Sequence, residues 1–359
     1  MLVCCRNSLA AAKRKEGLIM PRTISLPKTP NPMMLLANRL KSLGIPKAYL
    51  RHVALPEWWN DEIALNPTGY AQALGYVSRS LGLDINILLN PDAPLAFSPI
   101  PQAKFKLKKN TTDSEVNQNA HLALRVVKTA VAAFQHDSTK ALPLTAAAIR
   151  QEILAKGQQW VSLENLLRWC WDNGIPVVSV SHLLPDAKKM DGLAANIDGC
   201  SAIALCTKKH QPAWLLFHLA HEIGHIILGH VGDSGILLDE EIETKSNSDK
   251  DEQDANEFAH ELVANKMKFS SSILIRGEEL AQAAKKLGKE HGVDPGFIAL
   301  NYAWNHKQQP WGSANGALKC LAPQANALTL IQDEMRKHLN FDLLPEESVA
   351  WLLRMTDPD

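Results

Sequence analysis

His221-Glu222-Ile223-Gly224-His225 sets two imidazoles and a carboxylate within five residues, inside the apolar run Trp214 to Leu228. On a helix, side chains four apart lie one turn above each other on one face, so both histidines can reach a single ion. Glu222 is turned about 100° from His221 and can stand beside that ion, holding water without filling a coordination position. Zinc in such a place polarises a carbonyl and lowers the pKa of a bound water towards about 7. A neighbouring carboxylate can take that water's proton and pass it to a leaving amine. The chemistry implied by these residue types at this spacing is that of a zinc hydrolase. Two imidazoles and a carboxylate are costly to bury on an apolar helix unless something compensates them, and a cation does so.

A catalytic zinc site needs a third protein ligand and an open position. Downstream, Asp251 to Val263 has Ala255, Phe258, Ala259, Leu262 and Val263 at helical spacing. Glu252 and Asn256 are one turn apart on that helix, so a carboxylate completing the site and an amide steadying a histidine ring can come from one element. Asp251 and Asp254 are competing ligands at this point.

The motif with Phe217-His218-Leu219-Ala220 before it, and Glu252-x-x-Ala255-Asn256-x-Phe258-Ala259 after it, resembles the ImmA/IrrE family of metallopeptidases. The resemblance covers about residues 160 to 270. It implies an α+β, zincin-like catalytic domain in which His221, His225 and Glu252 hold zinc (Zn2+) and Glu222 is the general base. It also implies a cytoplasmic bacterial protease acting in regulation, with a repressor or another specific protein as substrate. The chain departs from the family pattern at His218, where threonine is common, at His260, and in the polar insert Gly232 to Lys250. The residue that would steady the oxyanion stays open among His230, His260, His291 and Tyr302. The strand at 201 to 206 is a candidate edge for pairing with an extended peptide.

These residues must be held by a larger body. At 359 residues the chain is long enough for two or three domains. We expect an extension, disordered or wrongly assigned, at 1–30, with Met20-Pro21 as an alternative start. A mostly α-helical amino-terminal domain follows at 31–92, with a faint helix-turn-helix likeness. A Pro/Lys-rich linker then spans 93–113, a metallopeptidase domain 114–320 and a helical carboxy-terminal tail 321–359. Residues 68 to 89 read as a continuous helical stretch, and Gln309 to Gly316 as a loop.

Formal net charge is zero, yet Arg6, Lys13, Arg14, Lys15, Arg22, Lys28, Arg39, Lys41, Lys47 and Arg51 make the amino end basic. DNA is therefore a candidate partner, and a metal-binding regulator with little turnover is the alternative to a protease. The six cysteines form no C-x-x-C pair and fit a reducing compartment. No apolar run approaches the roughly 18 residues of a membrane span, and Met1 to Arg22 lacks the apolar centre of a signal peptide.

Overall fold

Short side-chain-capped helices build the amino-terminal part. Asn31 accepts from the Met33 amide to start α1 (Pro32–Lys41), and Asn66 does the same for Gly69 at the head of α3 (Pro67–Leu81). Between them lies the single turn α2 (Lys47–Tyr49). The helix expected to run on from 68 to 89 stops at Gly82, whose φ of 70° is left-handed, and Asp84 caps a new helix, α4 (Ile85–Leu89). Arg39 turns its guanidinium inward, donating to the Ile87, Leu88 and Asn90 carbonyls at the end of α4. This computed structural model describes residues 31–97, 103–106, 113–135, 141–185, 187, 190–232, 235–239 and 250–358. The expected extension at 1–30 with its basic residues, most of the 93–113 linker and most of the polar insert lie outside them.

Next come β1 (Ala103–Lys106), α5 (Asp113–Ala133), α6 (Ala146–Ala155), α7 (Leu163–Asp172) and β2 (Val177–Ser179). The hairpin β3 (Gly192–Ile197) and β4 (Cys200–Leu205) turns on Asp198 and Gly199, both at positive φ, as a two-residue hairpin loop requires. Then follow α8 (Pro212–Ile227), β5 (Ile236–Asp239), α9 (Lys250–Ala264), α10 (Gly277–His291), α11 (Pro295–Asn305), α12 (Trp311–Leu321), α13 (Ala327–His338) and α14 (Glu346–Thr356). The loop expected at 309 to 316 is mostly α12. Pro310 leads into it, and Ala314, Ala317 and Leu318 gain burial against α10 and α11 that outweighs the two glycines in the sequence.

The fold is α+β, with a mixed five-stranded sheet in the order β1-β5-β3-β4-β2. Strand alternation sends side chains to both faces. Val178, Leu193, Ala195, Ala202 and Ala204 share one apolar cluster with α5, the amino-terminal helices and Trp351, Leu352 and Met355 of α14. Val177, Ile203 and Leu205 face the other way, into a cluster with Leu215, Leu216, Leu219 and Ile223 of α8. The motif helix thus lies on a sheet face. The expectation that the strand at 201 to 206 offers a free edge fails, because β4 pairs with β3 on one side and β2 on the other. Among the described residues, no helix is long and apolar enough to cross a membrane.

Candidate metal centre

Pro212, at the first turn of α8, needs no amide partner there, and the helix continues buried through His225. Gly224 lets α9 come close. A Cβ at 224 would stand 3.2 Å from the Ala255 Cα and 3.3 Å from the Phe258 Cβ. The far end of α9 is anchored by the buried Arg150 of α6, which donates to the Leu262 and Val263 carbonyls. Close approach at one end and an anchor at the other fix which side of α9 meets the histidines.

That side carries Glu252. Ligand-capable atoms of His221, His225 and Glu252 all lie within 4.8 Å of one another. The two Nε2 atoms are 2.9 Å apart, and the Glu252 oxygens lie 3.4 Å from His221 Nε2 and 3.3 Å from His225 Nε2. Asp251 instead comes within 3.8 Å of His230, and Asp254 is not in the cluster. Both histidines are fully buried, and Glu252 is partly so.

Hydrogen bonds orient the rings. Asn256 Oδ1 is 3.1 Å from His221 Nδ1. An amide oxygen only accepts, so Nδ1 carries the proton and Nε2 presents a bare lone pair. His225 Nδ1 meets His230 Nδ1 at 2.9 Å, with Asp251 behind His230. When His225 donates in that contact, its Nε2 is bare as well. Two lone pairs and a carboxylate then converge, which is repulsive without a cation between them. Tetrahedral zinc, with bonds of roughly 2.0–2.1 Å, separates its ligand atoms by about 3.3–3.4 Å, close to the two carboxylate distances found here. The donor set fits a metal.

Residues 204–301 match the family model Peptidase_M78, described as the IrrE N-terminal-like domain. This segment is similar to the ImmA/IrrE family. No curated protein and no solved structure matches the chain. The ImmA/IrrE match runs from the end of β4 to the middle of α11 and contains every residue of the centre. It supports a metallopeptidase type of function, and with it a metal, in the ImmA/IrrE segment.

Glu222 is fully buried on the side of α8 that faces the sheet. A Cβ at Gly192, the first residue of β3, would overlap Glu222 Oε1, so the absence of a side chain there makes the seat for this carboxylate. The Cys206 thiol is pushed up by burial and further by the Glu222 and Asp191 charges, which marks these groups as neighbours. The sequence signals neither the Gly192 seat nor the His230–Asp251 support, since both depend on long-range packing.

The other candidates for oxyanion contact have different work. Tyr302 Oη accepts from the Ile275 amide and donates to the Ile273 carbonyl, and His260 accepts from the Asn301 amide at 3.1 Å. Tyr302 thus pins the segment after α9 onto α11, and His260 joins α9 itself to α11. His291 packs against Phe269.

His218, one turn before Glu222, is buried with both ring nitrogens lacking hydrogen-bond partners. Burial first, then the Lys209 and His221 charges, lower its pKa from 6.5 to about 3. The unfolded imidazole therefore takes a proton near pH 6.5 while the folded one stays neutral until about pH 3. The stability this group contributes is present above pH 6.5 and is lost as pH falls through that window. His218→Thr is expected to flatten the pH dependence of unfolding there by up to about 1.4 kcal/mol per pH unit. Denaturant melts of both proteins between pH 4 and 7 measure this, and parallel curves would show that His218 is not held neutral.

Proposed function

We propose that the chain is a zinc-dependent endopeptidase that cuts a specific protein, with a repressor or another regulator as the substrate class. The observation that carries this reading is the convergence of His221 Nε2, His225 Nε2 and Glu252 beside a separately seated Glu222. His221, His225 and Glu252 are the ligands, and Glu222 is the general base. A zinc ion held there supplies Lewis acidity toward a peptide carbonyl and a nucleophilic water at neutral pH. Glu222 takes the proton from the attacking water and delivers it to the leaving nitrogen. Asn256 and His230 hold the two imidazoles in the orientation that leaves Nε2 free.

Gly192 belongs to this arrangement as a positioning residue. Gly192→Ala forces Glu222 or β3 to move, and a displacement of about 1 Å at a catalytic group costs roughly 10²-fold in rate. We expect that loss in kcat with zinc content unchanged. An alanine variant that cleaves at the wild-type rate would show that the Glu222 seat is not needed.

The substrate is found by comparing new protein amino termini in cells producing the wild type with those in cells producing Glu222→Gln. A defined set of cuts dependent on Glu222 is expected. If both proteins act on the cell alike and neither cuts anything, the chain is a metal-binding regulator and the protease reading fails.

A further inference from the structure

Behind the centre, on the Nδ1 side of His221, lies a cavity of about 610 Å³ between α8, α9, α11 and α12. That is within the range of small-molecule sites, roughly 300–1,000 Å³. We propose that it is a regulatory site for a free aromatic α-amino acid, whose occupancy is coupled to the metal centre through Asn256.

The walls argue for an aromatic ligand. Phe217 and Phe297 face each other at 6.2 Å, Trp214 and Trp311 at 5.6 Å, and Trp304 stands edge-on to Trp311 at the half-open mouth. Such a box offers ring faces and edges to a flat apolar group. The polar residues argue for a zwitterionic head. Lys266 is already paired with Glu261 at 3.0 Å, which leaves Lys268 and Glu257 as the charges of the lining that form no ion pair among the described residues. Glu257 and His260 are one turn apart on α9, and Lys268 helps to lower the His260 pKa, after burial. A cation and an anion are therefore gathered around one neutral imidazole. An α-amino acid brings an anion for Lys268 and a cation for Glu257.

The rim itself is strained. Asn265 and Lys266 both have left-handed backbones, with φ of 49° and 62°, although neither is glycine. The turn is held in place by Asn301 accepting from the Phe269 amide at 2.7 Å and donating to His260. Non-glycine strain retained by such a network marks functional segments. The link to the metal is short: Asn256 lines the cavity and holds the His221 ring. A ligand that steadies Asn256 steadies the imidazole, and by reciprocity bound zinc strengthens ligand binding.

The test is calorimetric titration of L-tryptophan into the zinc-loaded full chain, which needs no turnover and so stands or falls apart from the protease reading. L-Tryptophan is expected to bind at least tenfold tighter than tryptamine, indole-3-propionate or L-leucine. Lys268→Gln is expected to abolish its advantage over tryptamine, and Glu257→Gln its advantage over indole-3-propionate. Saturating L-tryptophan is also expected to slow zinc loss to a chelator at least threefold in the wild type and not in Asn256→Ala. Absence of saturable binding by L-tryptophan, L-phenylalanine and L-tyrosine would overturn the proposal, as would binding that neither charge variant alters. Binding without any change in zinc release would overturn the coupling.

Discussion

Glu222→Gln is expected to retain a full complement of zinc and to lose roughly 10²–10⁴-fold in the rate of peptide-bond cleavage, the usual contribution of a positioned acid–base group. The substitution keeps the shape of the side chain in its seat against Gly192 and removes only its charge and basicity. Glu222 is not among the three clustered donors, so metal affinity does not depend on it. The glutamine removes a buried negative charge, so the fold is not expected to weaken. Steady-state cleavage of an identified substrate, with metal content measured on the same sample, separates loss of the base from loss of the site. Unchanged turnover would remove Glu222 from the mechanism.

The second large effect is at a ligand. Glu252→Ala leaves two bare Nε2 atoms 2.9 Å apart with no anion to balance a cation between them. Losing a supporting residue such as Asn256 costs metal affinity roughly 10–100-fold, and losing a ligand costs more. We expect the variant to hold no zinc at micromolar concentrations and to have no activity. The negative charge matters as well as the donor atom, so Glu252→Gln is expected to fall between wild type and alanine.

Much of this centre was legible in the sequence because helical spacing fixes which side chains share a face. The H-E-x-x-H pentapeptide needs only the geometry of its own helix, and Glu252 with Asn256 needs only one turn of the next. The choice of Glu252 over Asp251 and Asp254 was not legible from spacing, because it depends on how α9 is rotated. Gly224 and Arg150 set that rotation through contacts across the chain. Gly192 lies thirty positions from Glu222, and its role exists only where β3 meets α8.

Strands were harder to read than helices. Gly192-Leu193-Ala194-Ala195 lacks both alternation and β-branched residues, because the strand is central and covered on both faces. Asp198-Gly199 was an available hairpin signal that identifies β3 and β4 together. Strands β1 and β5 are four residues each, too short to show a period. In α12, the glycines and Pro310 read as a loop, whereas burial of Ala314, Ala317 and Leu318 makes a helix.

The central claim is that three side chains from two helices hold one metal ion. The most direct measurement is titration of zinc into metal-free wild type and metal-free Glu252→Ala, with stoichiometry read by mass spectrometry. One tightly bound zinc per chain in the wild type, and none in the variant, is the predicted result. A wild type that takes up no zinc, or a variant that binds it as tightly, would contradict the account.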